Sequence, residues 1–74
     1  MIPSKDDPRW KDLLTGRTQH QFKVASAGMC VARNQRHVQQ DPSPAAMGPC
    51  LDDVHAFFEK FERILGEDLK ALFG

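Results

Sequence analysis

The sequence predicts an all-α protein: a short N-terminal helix followed by an antiparallel helical hairpin, paired with a second copy into a four-helix-bundle-like homodimer. Three observations carry that prediction. Between Leu51 and Phe73, apolar residues recur mostly three or four apart, and Phe57, Phe58, Phe61 and Phe73 make the stripe aromatic. That period describes one side of a helix. A second helical pattern occupies the middle of the chain and ends at Asp41-Pro42. Finally, the chain has only 74 residues, room for a single domain over 1–74. Cores in chains below ~70–80 residues rarely supply more than ~3–5 kcal/mol. With only two cysteines, a second copy is the simplest staple.

The first helix is expected over about 8–15. Asp7-Pro8 supplies an N-cap and then a proline at the first helical position, where its missing N–H costs nothing. Trp10, Leu13 and Leu14 form its apolar stripe, and Gly16 suits its end.

The second helix is expected over about 19–40. Thr18-Gln19-His20-Gln21 has the form of a capping box, and the residue before Pro42 is pushed out of the helical region. Two apolar stripes run along it, Phe22, Ala25, Met29 and Ala32 on one side and Val24, Ala27, Val31 and Val38 nearly opposite. A helix greasy on two sides is normally sandwiched between neighbours.

The stretch DPSPAAMGP is the linker. It is too short for a parallel crossover, so it predicts the antiparallel hairpin. Ser43-Pro44 suits one stray helical turn, and Gly48-Pro49 opens the third helix, expected over about 49–65. Asp52 and Asp53 then sit near its start, where the macrodipole favours acids. The apolar arc of this helix spans about 140°, wider than a single seam requires. Gly66 either ends it, leaving a separate short helix over 67–73, or is tolerated inside it. The pattern does not choose.

Charge is balanced overall and uneven in place. Residues 13–40 hold Arg17, Lys23, Arg33 and Arg36 with no acid, giving +4. Residues 41–74 hold seven acids against Lys60, Arg63 and Lys70, giving −4. The two parts should attract one another, and little uncompensated positive charge remains for a polyanion. The N-terminus MIPSKDDPRW has no apolar segment behind it, so no secretory leader is expected. No run approaches the ~18–20 apolar residues that span a bilayer, and the acidic polar side of the last long helix does not suit anionic lipid. A cytoplasmic protein with reduced thiols and no membrane contact is expected.

Residues that could carry chemistry are few. In the predicted hairpin, Cys30 and Cys50 are offset by about 13 Å along the helices, beyond the ~7 Å between Cα atoms that a disulfide allows. Both read as free thiols, with Cys50 near a helix N-terminus that would lower its pKa. His37, Cys50 and His55 are the weak metal candidates, but no pair has the spacing that aims two ligands at one ion from a helix. No glycine-rich phosphate loop and no nucleophile–base pair is present, so no enzymatic activity and no cofactor are expected. Arg17, Lys23, Arg33 and Arg36 point at several angles and form no close basic cluster, so nucleic acid is not the expected partner.

The expected function is a non-enzymatic helical interaction module, an accessory or regulatory protein that self-associates or docks on a larger protein. Its expected interface is Phe57, Phe58, Phe61, Ile64 and Leu65, with Val24, Ala27 and Val31 opposite. Two alternatives stay open: a thiol- or metal-responsive sensor using Cys30 and Cys50 with His37 and His55, and a nucleic-acid-binding regulator.

Overall fold

The computed structural model describes residues 2–18, 22 and 24–73. These form four α-helices with no strand among the described residues: α1 (Pro8–Leu14), α2 (Ala25–Gln40), α3 (Pro44–Lys60) and α4 (Gly66–Phe73).

The start of α1 is fixed by three adjacent residues. Asp7 is extended at φ −69° and accepts from the backbone N–H of Arg9 at 2.9 Å, and Pro8 takes the first helical position. The Arg9 guanidinium also donates to the Asp7 carboxylate, at 2.7 Å through Nη2. These hydrogen bonds pull the Asp7 carboxyl down from its ordinary 3.8 to about 2. The charged cap is therefore fully formed above the ordinary carboxylate range and is lost only as the pH falls through about 2.

The end of α1 is a Schellman turn. Gly16 adopts φ +74°, its N–H bonds the Leu13 carbonyl at 3.2 Å, and the Arg17 N–H reaches back to Asp12 at 2.9 Å.

α2 begins later than its sequence suggests. The capping-box reading rests on Gln21, which lies outside the described residues, as do Gln19, His20 and Lys23. Phe22 is not helical and Val24 is the N-cap, with no side-chain cap bond. Phe22 gains by leaving the helix: its ring packs on Phe58 with centroids 5.4 Å apart. On the helix it would share a side with Ala25, Met29 and Ala32, all three of which are exposed. Only the opposite stripe is buried, as Ala27, Val31, Asn34 and Val38, at spacings of four, three and four. Asn34 is accommodated because its Nδ2 donates to the Cys30 carbonyl at 2.8 Å.

α3 begins earlier than expected, at Pro44 rather than 49. Ser43 and Pro44 do not cap a stray turn but start the long helix itself, Ser43 Oγ accepting from the Ala46 N–H at 3.3 Å. Pro49 then lies inside α3. An interior proline removes one helical hydrogen bond and typically costs ~3 kcal/mol. Here Ala45, whose carbonyl loses its donor, is exposed along with Gly48 and Pro49, so water can replace the missing partner.

α3 also ends earlier than 65. Phe61 is its C-cap, and the N–H groups of Ile64 and Leu65 both turn onto the Phe61 carbonyl, at 3.0 and 2.8 Å. Gly66 is thus neither the stop of α3 nor inside it, but the first residue of α4. The break lets Leu65 and Leu69 fold back into the core, with Leu72 and Phe73 packed at its edge.

The core gathers around Trp10, which is completely buried with Leu13, Leu14, Val54 and Phe58. α2 lies against α3, and α1 packs on both. Among the described residues no ion pair joins α2 to α3, so the opposite charges of the two halves do not meet across that apolar seam.

Gly16 is the glycine whose conformation the fold requires. A Cβ there would also come within 2.7 Å of Gln39 Nε2, the movable end of a side chain. The left-handed backbone is the greater obstacle, costing ~1–2 kcal/mol for a non-glycine residue. Gly16→Ala should lower unfolding stability by about that amount, read as a lower urea midpoint with an unchanged slope.

Candidate functional site

The helical period that buries Val31, Asn34 and Val38 turns the neighbouring positions of α2 outward, towards one side of α3. Met29, Ala32, Arg33, Arg36, His37 and Gln40 line one wall of an open groove. Asp53, Ala56, Phe57 and Lys60 of α3 line the other, again one or two helical turns apart. Met29, 73% exposed, and the half-buried Phe57 give the lining its large apolar groups, and Cys30 and the buried Asn34 also contribute to it. The rim is mainly basic. Among the described residues, Arg33, Arg36 and Lys60 have no carboxylate partner. Lys60 instead lies over the Phe61 ring, 5.6 Å from its centroid.

At the far end of α3 the apolar surface continues. Phe57 and Phe61 pack with their ring centroids 4.7 Å apart and the rings tilted by 40°, and Ile64, in the turn beyond, is 65% exposed. The eight residues expected to form an interface are therefore divided. Ala27, Val31, Phe58 and Leu65 lie inside the subunit. Val24, Phe57 and Phe61 are half-buried, and Ile64 stands in solvent. A surface for association on the folded chain draws on this second group. Met29 joins it: the pattern of the sequence carries more apolar surface than one subunit covers, but it does not single out Met29 as an exposed part.

The metal candidates are not brought together. His55 is buried, its Nε2 3.0 Å from the Pro3 carbonyl and its Nδ1 3.2 Å from the Glu59 carboxylate, so both ring nitrogens are occupied. Its ring packs edge-on to Trp10 at 5.3 Å. His37 is exposed in the groove, while Cys50 is buried against the core. Among the described residues no three His, Cys, Asp or Glu side chains are placed to share an ion.

Cys30 and Cys50 are free thiols. Burial pushes both upward from the ordinary 9.0, and the Asp53 carboxylate adds to the shift. For Cys30, Arg33 and the Asn34 side chain partly oppose it. A pKa lowered by the helix N-terminus does not apply to Cys50: with α3 starting at Pro44, this residue lies two turns inside, beyond the first turn where the dipole acts. Raised thiols are the reverse of what a redox sensor uses.

A second open groove lies between the chain start and α3, lined by Leu14, Met47 and Leu51 with Lys5, Asp6 and Lys11 above. Across the chain, Lys5 pairs with Asp52 at 3.2 Å, both largely exposed. Such a pair contributes little.

Alkylation should separate the two thiols. Cys30, half-exposed, should react before Cys50, which is 6% exposed and must await opening of the core. The Cys30 rate should keep rising about tenfold per pH unit beyond the ordinary thiol range. A plateau below pH 8 in mass-spectrometric labelling would contradict this assignment.

Among the described residues, no helix is long and apolar enough to cross a membrane. Comparison of the chain with known protein families, with curated proteins and with solved structures finds no match.

Proposed function

We propose that this chain is a small non-enzymatic interaction module, an accessory or regulatory protein that acts by associating with itself, by docking on a larger protein, or both. In this reading α2 and α3 form an antiparallel hairpin, and two hairpins lie side by side as four long helices, flanked by α1 and α4. The observation that carries the reading is the exposed apolar end of α3. Ile64 is 65% exposed beside the half-buried Phe57 and Phe61. Covering such groups is worth ~25 cal/mol for each Å² removed from water. The three-residue connection Asp41–Ser43 between two helices in contact supports the hairpin, and the free thiols fit a cytoplasmic setting. Both grooves are open, without the water-excluding enclosure that most small-molecule chemistry uses.

Sedimentation tests the reading. The native chain should shift from monomer to dimer as its concentration rises, with a melting temperature that rises in parallel. Ile64→Lys should weaken pairing by roughly tenfold or more, equivalent to ~1.4 kcal/mol, while leaving helicity intact in dilute solution. A native chain that stays monomeric up to millimolar concentration would contradict self-association.

A further inference from the structure

We propose that the groove between α2 and α3 is a docking site for an acidic amphipathic helix of a partner protein. The inference rests on the interaction-module reading but not on self-pairing. It starts from the juxtaposition, in one groove lining, of the apolar Met29, Ala32, Ala56 and Phe57 with the cations Arg33, Arg36 and Lys60. From Met29 to Gln40 the α2 wall rises about 16 Å, at ~1.5 Å per residue. That length matches about three turns of a helix laid in the groove, the arrangement in which apolar residues at i, i+4 and i+7 act as anchors.

Charge decides which helix. The three cations face one acid, Asp53, and have no ion-pair partner among the described residues. A second copy seated groove to groove would obey twofold symmetry and place the same basic rim against itself. Such like-charge contact is unfavourable. Carboxylates flanking an apolar stripe complement both parts of the groove. A nucleic acid duplex would satisfy the cations but leave the Met29 and Phe57 surface without a match, and single strands, whose bases can stack on an aromatic ring, are distinguished by the test.

The test uses synthetic peptides of about 16 residues, fluorescently labelled and titrated with the full chain by anisotropy. One carries a leucine stripe at helical spacing flanked by glutamates. A second replaces every glutamate with lysine. A third scrambles the first so that composition is kept and the stripe is lost. A single-stranded DNA oligomer is the fourth probe. The striped acidic peptide should bind, and its affinity should fall with added salt. The lysine and scrambled peptides should bind about tenfold more weakly or worse. The double variant Arg33→Glu/Arg36→Glu, at exposed positions, should lose the acidic peptide and gain the lysine one. Lys60→Glu should independently weaken the acidic peptide several-fold.

No binding of the striped acidic peptide would overturn the proposal. So would equal binding of the scrambled peptide or the DNA, which would mark a general polyanion surface, or indifference to both charge variants. Failure here with concentration-dependent dimerisation intact would remove the groove and leave the interaction module standing. Peptide binding by a chain that remains monomeric would do the opposite to self-pairing.

Discussion

The burial of Trp10 is the constraint on which the other packing depends. The chain contains a single tryptophan, and it joins segments that are remote in sequence. Its indole Nε1–H donates to the Pro3 carbonyl at 3.2 Å. Its rings meet His55 and Phe58 of α3 at 5.3 Å and Phe73 of α4 at 4.8 Å. Pro3 and His55 are joined in turn, so the chain start, α1, α3 and α4 close on one another. Arg9 fastens the same corner from outside: its guanidinium lies 5.5 Å from the Phe73 ring centroid and donates to the Phe73 carbonyl at the end of α4. Removing a buried tryptophan side chain typically costs ~3–5 kcal/mol. The whole core of so small a domain is worth about as much.

This closure decides what remains for association. Phe58 is drawn against Trp10, and Leu65, Ala27 and Val31 are taken into the same core cluster. Phe57 and Phe61 are left half-covered, and Met29 and Ile64 are bare. The exposed apolar surface is therefore smaller than the whole aromatic arc of the sequence. Arg33 and Arg36 of α2 line the same groove as Met29 and Phe57, which adds positive charge to that part of it.

Where local chemistry determines structure, the sequence could be read closely. Asp7, Pro8 and Gly16 each act within a few residues of themselves, and α1 follows from them. The helical character of the middle and last segments followed from periodicity in the same way. Boundaries set by tertiary contacts were not legible. Two proline-containing starts, Ser43-Pro44 and Gly48-Pro49, compete for the beginning of α3, and the first wins because its serine caps the helix and Ala45, whose carbonyl lies opposite Pro49, is exposed to solvent. Phe22 leaves α2 for a ring some 36 positions away in sequence, a choice no local pattern contains. The same holds for the site. Its cations were visible, but that Met29 and Ala32 share a groove with them and with Phe57 depends on how α2 packs against α3.

The most direct test of this account is acrylamide quenching of Trp10 fluorescence, followed through urea unfolding beside far-ultraviolet circular dichroism. With Trp10 joining the chain start, α1, α3 and α4, its emission should be shielded until the helices melt, and both signals should change in one coincident transition. A tryptophan that is freely quenched, or exposed while most helicity persists, would show that the helices do not depend on the packing described.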